Sequence, residues 1–337
     1  MKERLVTTTM RNEGPFILEW VAWYRMLGFD HLVVFYNDCT DHSPELLEAL
    51  DAAGVLTAVS YTPNPDLPVK RTSLKLMAEH PRIRAAEWVF NIDVDEFLVI
   101  HKGEGRLQDL FDAFPIKQVH AIAVHWRCFG DGGYGSWEDT LTHRRFTRAS
   151  LRRHKGNVFF KTLIRWPNHF WRFGVHSPKG WRGHGEWGTP PNVMKRCDGA
   201  TLRRFHPKDS SVKMTQPRWI THEYAQLNHY ASRTFESFAL KMGTLSSAAN
   251  KDRYTETFFK GKNRNEELDE GALKYADRFD AVYAELTALP DVMRLHHLCC
   301  MDYIERLAEV HGFVAEDDPR WQHHRNEVAA RTVNPAS

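Results

Sequence analysis

Residues 90–100 read FNIDVDEFLVI. An apolar run of Trp88, Val89, Phe90 and Ile92 meets Asp93, Asp95 and Glu96 within four residues, and apolar residues resume at Phe97. Adjacent carboxylates raise one another's pKa and cost desolvation free energy unless a cation or a proton offsets them. A strand that reads as buried and ends in three acids predicts a charged site at a strand end. The neighbouring segments decide what kind of sheet carries it.

Toward the N-terminus, Leu5 to Thr9 is a short β-branched run and reads as a first strand. The turn-like RNEGP follows. Apolar residues at Ile17, Trp20, Val21, Tyr24 and Leu27 then keep helical spacing up to a stop at Gly28. HLVVFY (31–36) reads as a second strand. A helix begins with Ser43 as N-cap and Pro44 in its first turn, and ends at Gly54. VLTAVSY (55–61) reads as a third strand. After the proline-rich loop TPNPDLP comes a mostly helical stretch, broken at Pro81, that leads into the strand EWVFNI. Strands alternating with helices through short connections predict an α/β fold: a mainly parallel, Rossmann-like sheet flanked by helices. Ligands of such sheets bind beyond the carboxyl ends of the strands. MRNEG, YNDCTD and DVDE all fall at such ends, so the fold is expected to bring them to one edge.

Beyond about residue 231 the pattern turns helical, in TFESFALKM, EELDEGALKYADRFDAVYAELTAL and VMRLHHLCCMDYIERLAEVHG. The expected division is an α/β domain over 1–230 and a helical region over 231–337 packed on it. His296, His297, Cys299 and Cys300 are read as pointing to different faces of one helix and therefore as structural. RTVNPAS (331–337) is read as a frayed tail.

Composition narrows the classes. The 337 residues are 42% hydrophobic, enough for a sizeable core, and the formal charge of +2 gives no global case for nucleic acid. The five cysteines are an odd number with no zinc-knuckle spacing, which fits a reduced, cytoplasmic compartment. MKERLVTTTM lacks the apolar stretch of a signal peptide, and no apolar run approaches the roughly 20 residues of a membrane helix. Membrane contact is therefore expected to be peripheral at most, at the inner membrane. The basic run RRFTRASLRRHK (144–155) is read as a solvated face.

Asp93 and Asp95 are two apart, so in an extended segment their side chains leave on the same face. Two hard oxygen ligands suit Mg²⁺ or Mn²⁺, which bind one or two carboxylates together with substrate phosphates. An EF-hand is excluded, since Gly at the sixth and Glu at the twelfth loop position are absent.

RNEGPFILEWVAWYRMLGFDHLVVFYNDCTD, with EWVFNIDVDEFL after it, resembles the bacterial family 2-type glycosyltransferases of the GT-A fold. The likeness runs over most of residues 5–130 and continues more thinly through FKTLIR (160–165), GVHSPK (174–179) and LNHYASRTFESFALK (227–241). It implies a metal-dependent, inverting transferase that takes a nucleotide-diphosphate sugar, a UDP-sugar first, to a hydroxyl of a glycan, lipid-linked or other acceptor. Surface polysaccharide or glycoconjugate synthesis is the implied setting.

The resemblance makes Asp93 and Asp95 the metal-binding D-x-D, with Asp95 on the metal and Asp93 reaching the ribose or a metal-bound water. It offers His229, then His176, as a further metal ligand. Arg11, Asn12 and Glu13, with Asn37 and Asp38, become the nucleotide cradle. Asp41 is read as a helix cap. Lys70, Arg71 and Lys161 are candidate phosphate contacts. For the general base, Glu138 and Asp139 in SWEDT and Glu186 in HGEWGTP are the candidates. Seven of the eleven tryptophans fall between Trp126 and Trp219, so one or two are expected to face a sugar. The competing readings are a sugar nucleotidyltransferase, whose Gly-rich phosphate loop RNEGP does not supply, and an inactive carbohydrate- or nucleotide-binding protein on the same fold.

Overall fold

The computed structural model describes residues 2–203, 205–207, 212–247 and 251–333. Strands β1 (Arg4–Met10), β2 (His31–Tyr36), β3 (Thr57–Ser60) and β4 (Trp88–Asn91) form a parallel half-sheet in the order β3-β2-β1-β4. Their side chains are buried on both faces where helices cover them, which is why HLVVFY and WVFN read as continuous apolar runs. The strand Phe160–Arg165 adds antiparallel to β4. The sheet then continues through β6 (Ala121–Cys128), the strand Ala225–His229 and β5 (Glu96–Ile100).

Helix α1 (Ile17–Leu27) ends as expected at Gly28, whose φ of 95° is the left-handed cap conformation that favours glycine. The helix is buried on nearly every side. Its Trp23 Nε1 donates to the Leu98 carbonyl (3.0 Å), and Tyr24 Oη donates to the Glu96 carbonyl (2.9 Å). Both bonds pin β5, the strand that leaves the acidic cluster. Helix α2 (Ser43–Ala52) starts differently from the expectation: Ser43 is its first residue. The Ser43 amide and hydroxyl both donate to the Asp41 carboxylate, at 3.1 and 2.8 Å, so Asp41 does the capping. The third strand is shorter than the apolar run, because Val55 and Leu56 are buried in the turn before it. Helix α3 (Val69–Glu79) stops before Pro81, which opens a new short helix, Pro81–Ala85.

In the C-terminal region, helix Ala276–Thr287 packs on α1. Helix Val292–His311 lies across the turn Gly14–Phe16 and across α2, and helix Pro319–Val333 lies along it. A Cβ at Gly14 would stand 2.4 Å from Cys299 Cβ, so glycine is what lets this helix approach the loop after β1. The predicted tail divides: 331–333 continue the last helix, and 334–337 lie outside the described residues. Among the described residues no helix is long and apolar enough to cross a membrane.

Candidate active site

The acidic cluster occupies the turn between β4 and β5. Glu96 is wholly buried and organises that turn. Its Oε2 accepts from the Asp93 amide (2.7 Å), its Oε1 accepts from Trp126 Nε1 (2.6 Å), and Lys161 Nζ lies 3.3 Å away. Burial pushes its carboxyl up to about 8, with Lys161 opposing and Asp93 and Asp95 adding to the shift.

Asp93 has each oxygen engaged by a lysine: Lys70 donates to one, and Lys161 donates to the other at 2.7 Å. Burial works against its charge, but the two ammonium groups outweigh it and hold the carboxyl well below the usual range. Asp95 differs. No hydrogen bond to its carboxylate is found among the described residues; His229 Nε2 lies 3.8 Å away and the Lys241 ammonium 3.9 Å.

Strand pairing delivers His229. Ala225–His229 runs antiparallel to β5 with His229 opposite Glu96, and the Tyr230 amide extends the ladder to the Asp95 carbonyl (2.8 Å). The same strand runs parallel to β6, which stacks Trp126 on the His229 ring with centroids 4.0 Å apart. Burial pushes the imidazole down to about 4, so it is neutral at pH 7 and makes no ion pair with Asp95. Its Nδ1 is also buried without a partner. A buried polar nitrogen without a partner costs about 1–3 kcal/mol. A carboxylate oxygen and a neutral imidazole nitrogen, facing each other unbonded, form a donor set that fits a divalent cation.

His176 also packs against Trp126, with ring centroids 5.5 Å apart, and its Nδ1 bonds the Phe160 carbonyl at 2.8 Å. Burial and Lys161 take it down to about 3.

The loops after β1 and β2 meet through side chains. Asn12 exchanges two hydrogen bonds with Thr40, Nδ2 to Oγ1 at 3.0 Å and Oδ1 from the amide at 2.8 Å. Asn12 (φ 55°) and Asp38 (φ 46°) are both left-handed, a conformation Asn and Asp tolerate better than other side chains. The Asn37 amide bonds the Asp38 carboxylate (3.0 Å). Glu13 faces Arg233 Nη1 at 3.5 Å, and Arg306 Nη1 reaches the Asn12 carbonyl at 3.4 Å. Arg11 is exposed on the same loop, and Arg71 is exposed near the start of α3.

The three general-base candidates are not brought to this centre. Glu138 is exposed and faces Arg145 (3.4 Å). Glu186 is exposed beside Trp187, which belongs to a different apolar cluster from Trp126. Asp139 bonds His296 Nε2 at 3.1 Å beneath the C-terminal helices. Burial raises its pKa, but His296, His324 and His297 bring it down to about 2, a weak proton acceptor at neutral pH.

Lys241, Arg233 and Lys262 were not singled out in the sequence, yet all three bring positive charge to the site, Lys241 and Arg233 toward Asp95 and Lys262 toward His229. Lys262 Nζ sits 5.4 Å from the Trp126 ring centre, and Arg233 lies over Phe16 at 3.4 Å. Two of them lie in the stretch LNHYASRTFESFALK, where a basic residue near the His was the available signal. Of the tryptophans, Trp126 reaches the site, while Trp181 and Trp187 pack on each other at 5.1 Å. The basic run 144–155 is partly tied down, with Arg144 on Asp280 and Arg148 on the Asn265 carbonyl.

Residues 7–251 match the family model of glycosyltransferase family 92. A glycosyltransferase family 92 protein of Oryza sativa subsp. japonica is 27% identical over 132 residues, which make up 38% of this chain and 21% of that protein. One of Ricinus communis is 29% identical over 136 residues, 39% of this chain and 23% of that protein. This chain thus spans less than a quarter of either plant protein. Among solved structures, S. aureus TarS 1–349 aligns over 97% of this chain and 88% of its own at 11% identity, with a TM-score of 0.35. The matching family is 92, where the motifs by themselves resembled the family 2-type enzymes.

Proposed function

The chain belongs to glycosyltransferase family 92, and from that premise we propose that it transfers a sugar from a nucleotide-diphosphate donor to a hydroxyl acceptor of a glycan or glycoconjugate, with inversion. Asp95 and His229 would hold a divalent cation. The observation that carries this reading is the Asp95–His229 pair, opposed at 3.8 Å without a hydrogen bond at the carboxyl edge of the parallel strands. An imidazole ligand favours Mn²⁺ over Mg²⁺. When bound, the cation neutralises charge developing on the departing nucleoside diphosphate.

The chain's own residues divide the remaining work. Asp93, locked between Lys70 and Lys161, holds the turn that presents Asp95. Both lysines are spent on Asp93, which leaves the Asp95 carboxylate without a hydrogen-bonded cation and open to metal uptake. Lys241, Arg233 and Lys262 form a basic rim suited to the diphosphate. The joined Asn12 and Asp38 loops cradle the nucleoside beyond β1 and β2, where ligands of such sheets bind. His176 is kept neutral beside Trp126 as a second imidazole near the site.

Calorimetric titration of UDP into the purified chain, with Mn²⁺, with EDTA and in Asp95→Asn, tests the reading. Binding that needs Mn²⁺ and disappears in the variant supports it. If UDP, GDP and dTDP all fail to bind in Mn²⁺, the cluster at 93–96 is structural and the reading fails.

A further inference from the structure

A second group of metal-ligating side chains lies apart from the Asp95–His229 pair. Helix Val292–His311 carries His296 and Cys300 four residues apart, on one face and one turn from each other. This corrects the sequence reading, which set all the His and Cys residues of this stretch on different faces. Asp139 comes to them from the loop after β6, and His324 from helix Pro319–Val333. His296 Nε2 is 3.1 and 3.2 Å from the two Asp139 oxygens and 3.6 Å from Cys300 Sγ. His297 and His324 meet Nδ1 to Nδ1 at 2.9 Å, and each offers a donor atom within 4.8 Å of Asp139. All but Asp139 are buried, and the Asp139 side chain is 31% exposed, which leaves an entry path.

A Cys–His–Asp nucleophile does not fit. That arrangement puts thiol and carboxylate on opposite ring nitrogens, with the His between them. Here both face the same nitrogen, His296 Nε2, while Nδ1 is buried without a partner. Hydrogen bonding pairs the group only in part: His296 Nε2–H and the Cys300 thiol can both donate to Asp139, while His296 Nδ1 stays buried without a partner. Three donors converging on one point is the geometry of a common cation. Tetrahedral zinc with Zn–N of about 2.0 Å and Zn–S of about 2.3 Å sets N···S near 3.5 Å and N···O near 3.3 Å. The separations found are 3.6 Å and 3.1–3.2 Å.

We propose that Asp139, His296 and Cys300 bind one Zn²⁺ ion with the fourth tetrahedral position open. Thiolate with imidazole selects zinc over Mg²⁺ or Ca²⁺. The ion ties helix Val292–His311 to the 136–141 loop and so to the sheet. His297 and His324 form a separate triad with Asp139 and stand beside that ligand.

The test uses the full chain after chelation and desalting, titrated with Zn²⁺ or Co²⁺ alone. In Asp95→Asn, which breaks the first cation site, we expect uptake of about one ion per chain and a higher melting temperature on loading. Co²⁺ should give tetrahedral visible bands with a thiolate charge-transfer band. Cys300→Ser should abolish the charge-transfer band, and His296→Gln should weaken binding by at least about tenfold. Asp95→Asn should change neither, which separates this centre from the active site. No uptake by the wild-type chain, or a cobalt spectrum without a thiolate band, overturns the proposal even if the variants fail to fold.

Discussion

Lys161 donates to Asp93 at 2.7 Å with only 1% of its side chain exposed, and it stands 3.3 Å from the buried Glu96. One buried ammonium therefore serves two carboxyl groups, Glu96 closed to water and Asp93 34% exposed. Removing one member of a buried ion pair costs about 3–5 kcal/mol, because the charge left behind has no partner. Lys161→Met is expected to lose about that much in urea denaturation. Asp93→Asn/Lys161→Met should lose less than the sum of the single changes, by about 0.5–3 kcal/mol. Strictly additive losses would mean that the two side chains do not interact in solution.

Asp93 and Asp95 should separate stability from binding. The Asp95 carboxylate has no hydrogen bond among the described residues, so Asp95→Asn should change stability by about 1 kcal/mol or less while abolishing Mn²⁺-dependent nucleotide binding. Asp93→Asn strands Lys70, leaves Lys161 only Glu96, and should destabilise the fold by several kcal/mol. Calorimetry and denaturation on both variants decide the matter. The assignment of roles fails if Asp95→Asn is the less stable protein, or if it still binds UDP with Mn²⁺.

Much of this was legible in the residues. The β3-β2-β1-β4 half-sheet follows from buried strands such as HLVVFY alternating with amphipathic helices, a local signal. Asp95 was legible because charges abut a buried strand. What was not legible depends on pairing across the chain. Residue patterns alone do not say that Ala225–His229 lies antiparallel to β5, and that register alone sets His229 beside Asp95. Lys161 in an apolar run signalled a buried partner. The fold gave it Asp93 and Glu96 rather than an exposed phosphate contact. Asp139 looked like a helix-start acid because the His residues it meets arrive from helices more than 150 residues later.

Acid sensitivity should begin at Glu19, the acid of the LEW motif. This buried carboxylate accepts from the Thr142 and His143 amides, both at 2.9 Å, and from His143 Nδ1 at 2.7 Å. Burial raises its pKa, yet the His143 bond and charge and the two amides prevail and leave it below its ordinary 4.5. A carboxyl with a depressed folded-state pKa contributes stability that is present above its unfolded value and lost as pH falls through the folded one. Stability should therefore drop below about pH 4.5, and Glu19→Gln should flatten that slope between about pH 5 and 3. An unchanged slope in the variant would place the acid-labile group elsewhere.

Two glycine-to-alanine changes should move stability in opposite directions. At Gly14 a Cβ would meet Cys299 Cβ at 2.4 Å, an atom fixed to the helix backbone, so the Val292–His311 helix must shift. Overpacking of this kind costs about 1–3 kcal/mol. The shift also moves Arg306, which reaches the Asn12 carbonyl, so Gly14→Ala should weaken nucleotide binding as well as the fold. Gly261 lies within helix Glu256–Lys262 with nothing within 4 Å of its Cβ position. There alanine removes glycine's backbone entropy cost, and a gain of about 0.5–1 kcal/mol is expected with binding unchanged. Denaturation of the pair, run beside UDP titration, tests both signs. If Gly14→Ala is as stable as the parent, the close approach of the C-terminal helix to the β1 loop does not hold in solution.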